Sequence, residues 1–146
     1  MSNVEKAVEN FAAGFNCSQS VVAAFSEQFG LSQEKALKVA AGFGGGMRMA
    51  ETCGTLTGAF MVIGLKYGAT EASDQATKKK TYAIIEDMTE RFRKRNSFVT
   101  CRELLSCDIS TAEGAQTASE KKLIKKTCPK IVKDAAELLE EIFAEN

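Results

Sequence analysis

The sequence predicts an all-α fold: a compact single domain over residues 1–146, with five to seven helices bundled around one central apolar helix. Three observations predict it. Apolar residues recur at helical three-and-four spacing along most of the chain. A single proline, Pro129, interrupts the sequence, and most of the eleven glycines fall between the periodic stretches, so long helices are permitted almost everywhere. At 146 residues and 45% hydrophobic, the chain can bury a true core without disulfide staples.

Val4, Ala7, Val8, Phe11, Ala12 and Phe15 set out a first amphipathic helix ending near Gly14. Asn16 is placed to cap a second, with Val21, Val22, Phe25 and Phe29 inward and Gly30 as its stop, and Ser32 to cap a third. The run GFGGGMRM, residues 42–49, is too rich in glycine for regular structure and reads as a loop or a close backbone approach. Thr52 to Tyr67 is apolar on every side, as a central helix should be, with Gly58 and Gly64 allowing neighbours to pack close. Residues 72–95 form the longest helix, with Tyr82, Ile85, Met88 and Phe92 inward and a basic end suited to a helix C-terminus. A short helix follows Thr100, the basic stretch ASEKKLIKK is ambiguous, and Ile131 to Phe143 carries a wide apolar stripe.

A formal net charge of zero and the absence of any nucleic-acid motif argue against nucleic-acid binding. The longest uncharged run, between Glu51 and Lys66, is fourteen residues. A membrane-spanning helix needs roughly 20. No export signal is expected in the acidic, helical start, so five cysteines point to a reducing, cytoplasmic setting where thiols act as nucleophiles, ligands or core atoms. The chain has no histidine, which excludes a cysteine–histidine or serine–histidine site built from this chain alone.

The cysteines are Cys17, Cys53, Cys101, Cys107 and Cys128, and none forms a C-x-x-C pair. Four follow a residue able to cap a helix: Asn16, Thr52, Thr100 and Thr127. Thr100 with Glu103 has the spacing of a capping box, and Pro129 after Cys128 marks a helix start. A thiol in the first turn of a helix meets free N–H groups and the positive end of the dipole, which favour thiolate, the form that attacks disulfides and binds metals. Gathered at one locus, Cys17, Cys53, Cys101 and Cys128 would form either a dithiol–disulfide couple or an all-cysteine ligand set for an iron-sulfur cluster or another thiolate-bound metal. The opposing reading is a structural domain whose cysteines are inert buried side chains, or one that binds metal without catalysis.

NCSQSV around Cys17, GFGGGMRMAETCGTLTGAFMVIGLKYG around Cys53, CRELLSCDISTAEG from Cys101 and the Cys128-Pro129 pair before VKDAAELLEEI together resemble the redox-active family named for its cysteine pattern, C_GCAxxG_C_C. The resemblance covers nearly the whole chain. It implies a redox role for Cys17, Cys53, Cys101 and Cys128 and leaves Cys107 as an extra. It brings no substrate and does not decide whether the protein is an enzyme.

Two further features were weighed on chemistry alone. The glycine loop with Arg48 invites an anion-binding reading, but it matches neither a Walker loop nor a dinucleotide fingerprint, and its expected role is to let backbone approach Cys53. Lys121, Lys122, Lys125, Lys126, Lys130 and Lys133 form one basic group, and Arg91, Arg93, Lys94 and Arg95 another. Solvated helix faces are the expectation for both, with steering of an acidic redox partner protein as the alternative.

Overall fold

The computed structural model describes residues 1–146 and is all-α. Eight α-helices follow in order: α1 (Asn3–Ala12), α2 (Cys17–Phe25), α3 (Gln33–Ala40), α4 (Gly54–Tyr67), α5 (Gln75–Asn96), α6 (Cys101–Leu105), α7 (Ala112–Glu120) and α8 (Leu123–Glu145). The number exceeds the five to seven expected because α6 and α7 are short, separate pieces between the two longest helices. Side-chain caps start most of them. Ser2 and Asn16 make full capping boxes with Glu5 and Gln19, and Ser32, Asp74, Thr100 and Thr111 each accept one amide of the first turn.

The main core is a cluster of 23 buried residues from α1 to α5 and α8. Helix α4 lies at its centre against α2, α5 and α8, with Leu56, Ala59, Val62 and Ile63 fully buried. Gly58 makes the α2 contact possible: a Cβ there would meet the Ser18 carbonyl oxygen at 3.0 Å. Gly64 has no such role, since its missing side chain faces open space. The two glycines therefore predict opposite outcomes in chemical unfolding. Gly58→Ala should lower stability by about 1–3 kcal/mol through overpacking, and Gly64→Ala should raise it by about 0.5–1 kcal/mol through helix propensity.

On α5 the buried side chains are Ile84, Met88 and Phe92, while Tyr82 is exposed. Met88, Phe92 and the partly buried Ile85 keep the expected inward face, only Tyr82 departs from it, and the last turns of the helix carry ion pairs, several of them to α8. Arg95 reaches Asp134 at 3.2 Å and Glu141 at 2.9 Å, Arg91 joins Asp87 and Glu145, and Lys130 meets Asp134 at 2.8 Å. Much of the basic end of α5 is thus spent within the fold.

A second, smaller cluster of Ala50, Cys101 and Leu105 lies apart from the main core, with Cys107, Ile109, Leu123 and Cys128 packed around it. Two backbone bonds join it to α4: the Cys53 amide donates to Val99 O at 2.8 Å, and the Cys101 amide to Glu51 O at 2.7 Å. They flank an isolated antiparallel bridge between Thr52 and Thr100. Thr52 is therefore a bridge residue, and Cys53 takes the N-cap position of α4 with no side-chain cap.

Helix α8 departs most from expectation. It begins at Leu123, after Lys122 turns in the left-handed region at φ 53°, so Thr127 caps nothing and Pro129 sits inside the helix. Leu123 and Cys128 pack against the small cluster, and this burial supports the extra turns ahead of the proline. The proline's cost is one missing amide hydrogen bond near the helix start.

Candidate functional site

Cys17, Cys53, Cys101 and Cys128 all line one cavity of about 660 Å³. It lies on the seam between the two hydrophobic clusters. Cys53 belongs to the main core and Cys17 packs against it, whereas Cys101 belongs to the small cluster and Cys128 packs against that. Each wall thus contributes two sulfurs. Cys107 does not line the cavity; its thiol donates to Gly114 O at 3.0 Å.

Cys17 is the first residue of α2, where the capping box fixes the backbone: the Asn16 side chain accepts from Gln19 N at 2.9 Å, and Gln19 returns the bond to Asn16 N at 3.0 Å. The same side chains tie this turn to the end of α3, Asn16 donating to Ala41 O and Gln19 to Leu37 O, each at 3.0 Å. The glycine loop then folds over the sulfur. A Cβ on Gly44 would meet the Asn16 side chain at 2.6 Å, and one on Gly54 would meet Cys17 Sγ at 2.6 Å and Phe43 O at 2.7 Å. The loop backbone thus approaches the Cys53–Gly54 segment, as expected, and Cys17 as well. Gly45, Gly46, Met47 and Arg48 are all at positive φ, and so is Ala50. Non-glycine residues in the left-handed region each cost on the order of 1–3 kcal/mol and gather at functional sites. The end of this loop is held by Arg102, which donates to Met49 O at 2.9 Å and Ala50 O at 3.2 Å.

The sulfurs differ sharply in acidity. The neighbouring Cys53 thiol, with the nearby Gly45 and Ser18 amides, outweighs burial and holds Cys17 at about 6 against an ordinary thiol value of 9.0. Cys53, next to Cys17 and buried beside its charge, is pushed well up. Burial and then the Cys17 charge raise Cys101 to about 11 and Cys128 to about 12. For Cys128 the argument for a low pKa from a helix start falls, because the residue lies within α8. For Cys101 the start is real, with Thr100 as its cap, yet desolvation and a neighbouring thiolate outweigh the helix end.

Thr55, Gly54 and Gly45 are site residues that residue types alone did not single out. Thr55 is buried, its hydroxyl finds no oxygen or nitrogen partner, and it faces the Cys17 and Cys53 sulfurs. The glycine density on either side of Met47 and next to Cys53 was the available signal.

Four thiols are the right donors for an iron-sulfur cluster or zinc. Their placement does not suit one: no three of the Cys, Asp and Glu side chains are grouped to hold a common ion.

The four cysteines that meet at this cavity fall within a span matched by a known family. A family model described as "Putative redox-active protein (C_GCAxxG_C_C)" matches residues 15–142. The chain belongs to this family. No curated protein and no solved structure matched it. In this C_GCAxxG_C_C protein, the matched span runs from just before Cys17 to beyond Cys128 and so contains all four cavity cysteines. No helix is long and apolar enough to cross a membrane.

Proposed function

We propose that this protein is a thiol redox protein in which Cys17 is the attacking thiolate and Cys53 the resolving thiol. The placement of the two sulfurs carries this reading: Cys17 and Cys53 share one cavity, with Cys17 Sγ packed on Gly54, the residue after Cys53. Their opposed acidities leave Cys17 ionised near neutrality while Cys53 keeps its proton. In the forward step Cys17 S⁻ attacks one sulfur of a substrate disulfide, forming a mixed disulfide and releasing the other half as thiolate. Cys53 then gives up its proton to that leaving thiolate and attacks Cys17 Sγ. This closes the Cys17–Cys53 disulfide and releases the second half, so the substrate gains two electrons and the protein loses two. A dithiol partner protein returns the pair to its reduced form, as a reducing compartment such as the cytoplasm would supply.

Mild oxidation of reduced protein with diamide, followed by alkylation and peptide mass mapping, should show a disulfide joining Cys17 to Cys53, with Cys101, Cys107 and Cys128 still alkylated. Cys17→Ser should abolish it. A different pairing, or protein purified anaerobically with stoichiometric iron and sulfide, would overturn the reading.

A further inference from the structure

The cavity wall carries a charge pattern that the dithiol chemistry does not require. Its only charged side chains are Arg48 and Lys125; no carboxylate lines it. Neither cation makes an ion pair or a side-chain hydrogen bond, although Arg91, Arg95, Arg102 and Lys130 are all paired elsewhere. Arg48 is held there at a left-handed φ of 61°, with its side chain against Gly45, the residue whose amide lies near Cys17. Lys125 comes from the start of α8, beside Ile124 and one helical turn before Pro129. Between the cations and the sulfur the lining is apolar, with Phe15, Leu104, Ile109 and Ile124 among it. A volume of about 660 Å³ is that of a small-molecule site, for which roughly 300–1,000 Å³ is usual.

We propose that the cavity binds low-molecular-weight disulfides that carry a carboxylate on an apolar body, the acid group held by Arg48 and Lys125 and the disulfide presented to Cys17. This rests on the reading of Cys17 as the attacking thiolate. The balance is that of the exchange above: one substrate S–S bond breaks, the Cys17–Cys53 bond forms, and two small thiols leave. Two cations on the lining attract the anionic substrate and suppress a cationic one.

The test compares three disulfide probes on the reduced full-length protein: dithiobis-nitrobenzoate, which is anionic and aromatic, dithiodipyridine, which is aromatic and neutral, and cystamine, which is cationic. The preference for the anionic over the neutral aromatic probe, measured as a ratio of second-order rates, should fall about tenfold in the Arg48→Gln, Lys125→Gln double variant. It should fall by a smaller factor in Lys125→Gln alone, and cystamine should gain relative to both aromatic probes. An unchanged ratio, or equal losses with all probes, overturns charge recognition while leaving the dithiol reading intact. A Cys17→Ser protein that reacts as fast as the wild type with every probe overturns the dithiol reading itself.

Discussion

Gly54→Ala is expected to remove the fast, low-pH reactivity of Cys17 and to destabilise the fold together with it. The new Cβ would lie 2.6 Å from Cys17 Sγ and 2.7 Å from Phe43 O, and neither neighbour has room to yield. Phe43 is backbone in the turn that leads into the glycine loop, and the sulfur lies beside the Gly45 amide and Cys53. Moving the sulfur takes it from the groups that ionise it, and moving the loop separates the Asn16 side chain from Gly44. Overpacking of this kind costs about 1–3 kcal/mol. The alkylation profile of Cys17 against pH, and a denaturant curve, read the two effects. A variant that keeps both the wild-type midpoint and the wild-type stability would show that the loop yields where its packing says it cannot.

Removing the Cys53 thiol should move the Cys17 midpoint upward, from about 6 toward the ordinary 9.0, because that thiol is the largest cause of the depression. The rate at neutral pH will fall less than the thiolate fraction does, since a more basic thiolate is a better nucleophile. The midpoint, from iodoacetamide alkylation of Cys53→Ala, is therefore the sounder measure, and a midpoint that stays near 6 would sink the assignment of Cys53 as that cause. Stability should follow the same groups. Cys17, depressed in the fold, contributes stability that is complete above 9.0 and is lost as pH falls through about 6. Cys101 and Cys128, raised in the fold, contribute stability that is complete below 9.0 and is lost as pH rises through about 11 and about 12. Their joint contribution peaks near pH 9, and Cys17→Ser should flatten the acid side and, by removing the Cys17 charge, soften the alkaline side as well.

Most of the helices were legible because each carries its own instruction in local residues. Ser32 and Thr100 accept the amides they were expected to accept, and the stripe from Ile131 to Ile142 is buried where its period placed it. The failures have a common cause. Pro129 was read as a helix start from local preference, but burial of Leu123 and Cys128 against a distant segment carries α8 through it. Spacing places Tyr82 inward with Ile85, Met88 and Phe92, but at that turn of α5 the core takes Ile84 and leaves the Tyr82 ring exposed. Sulfur acidity is the extreme case. Asn16 and Thr100 look alike as caps, yet Cys17 lies low and Cys101 high because burial and a neighbouring thiol, 36 or more positions away in the chain, decide the outcome.

The Thr52–Thr100 bridge also bears on how the protein moves. Its two flanking bonds belong to the amides of Cys53 and Cys101, one on each side of the seam between the hydrophobic clusters. Both amides lie in the same two-strand contact, so opening that bridge exposes the two protons to solvent deuterium together. Amides in the middle of α4 are held by the helix itself and exchange through a larger unfolding. The chain therefore carries, at two of its own cysteines, a clock for the opening of this bridge that is separate from the lifetime of the fold.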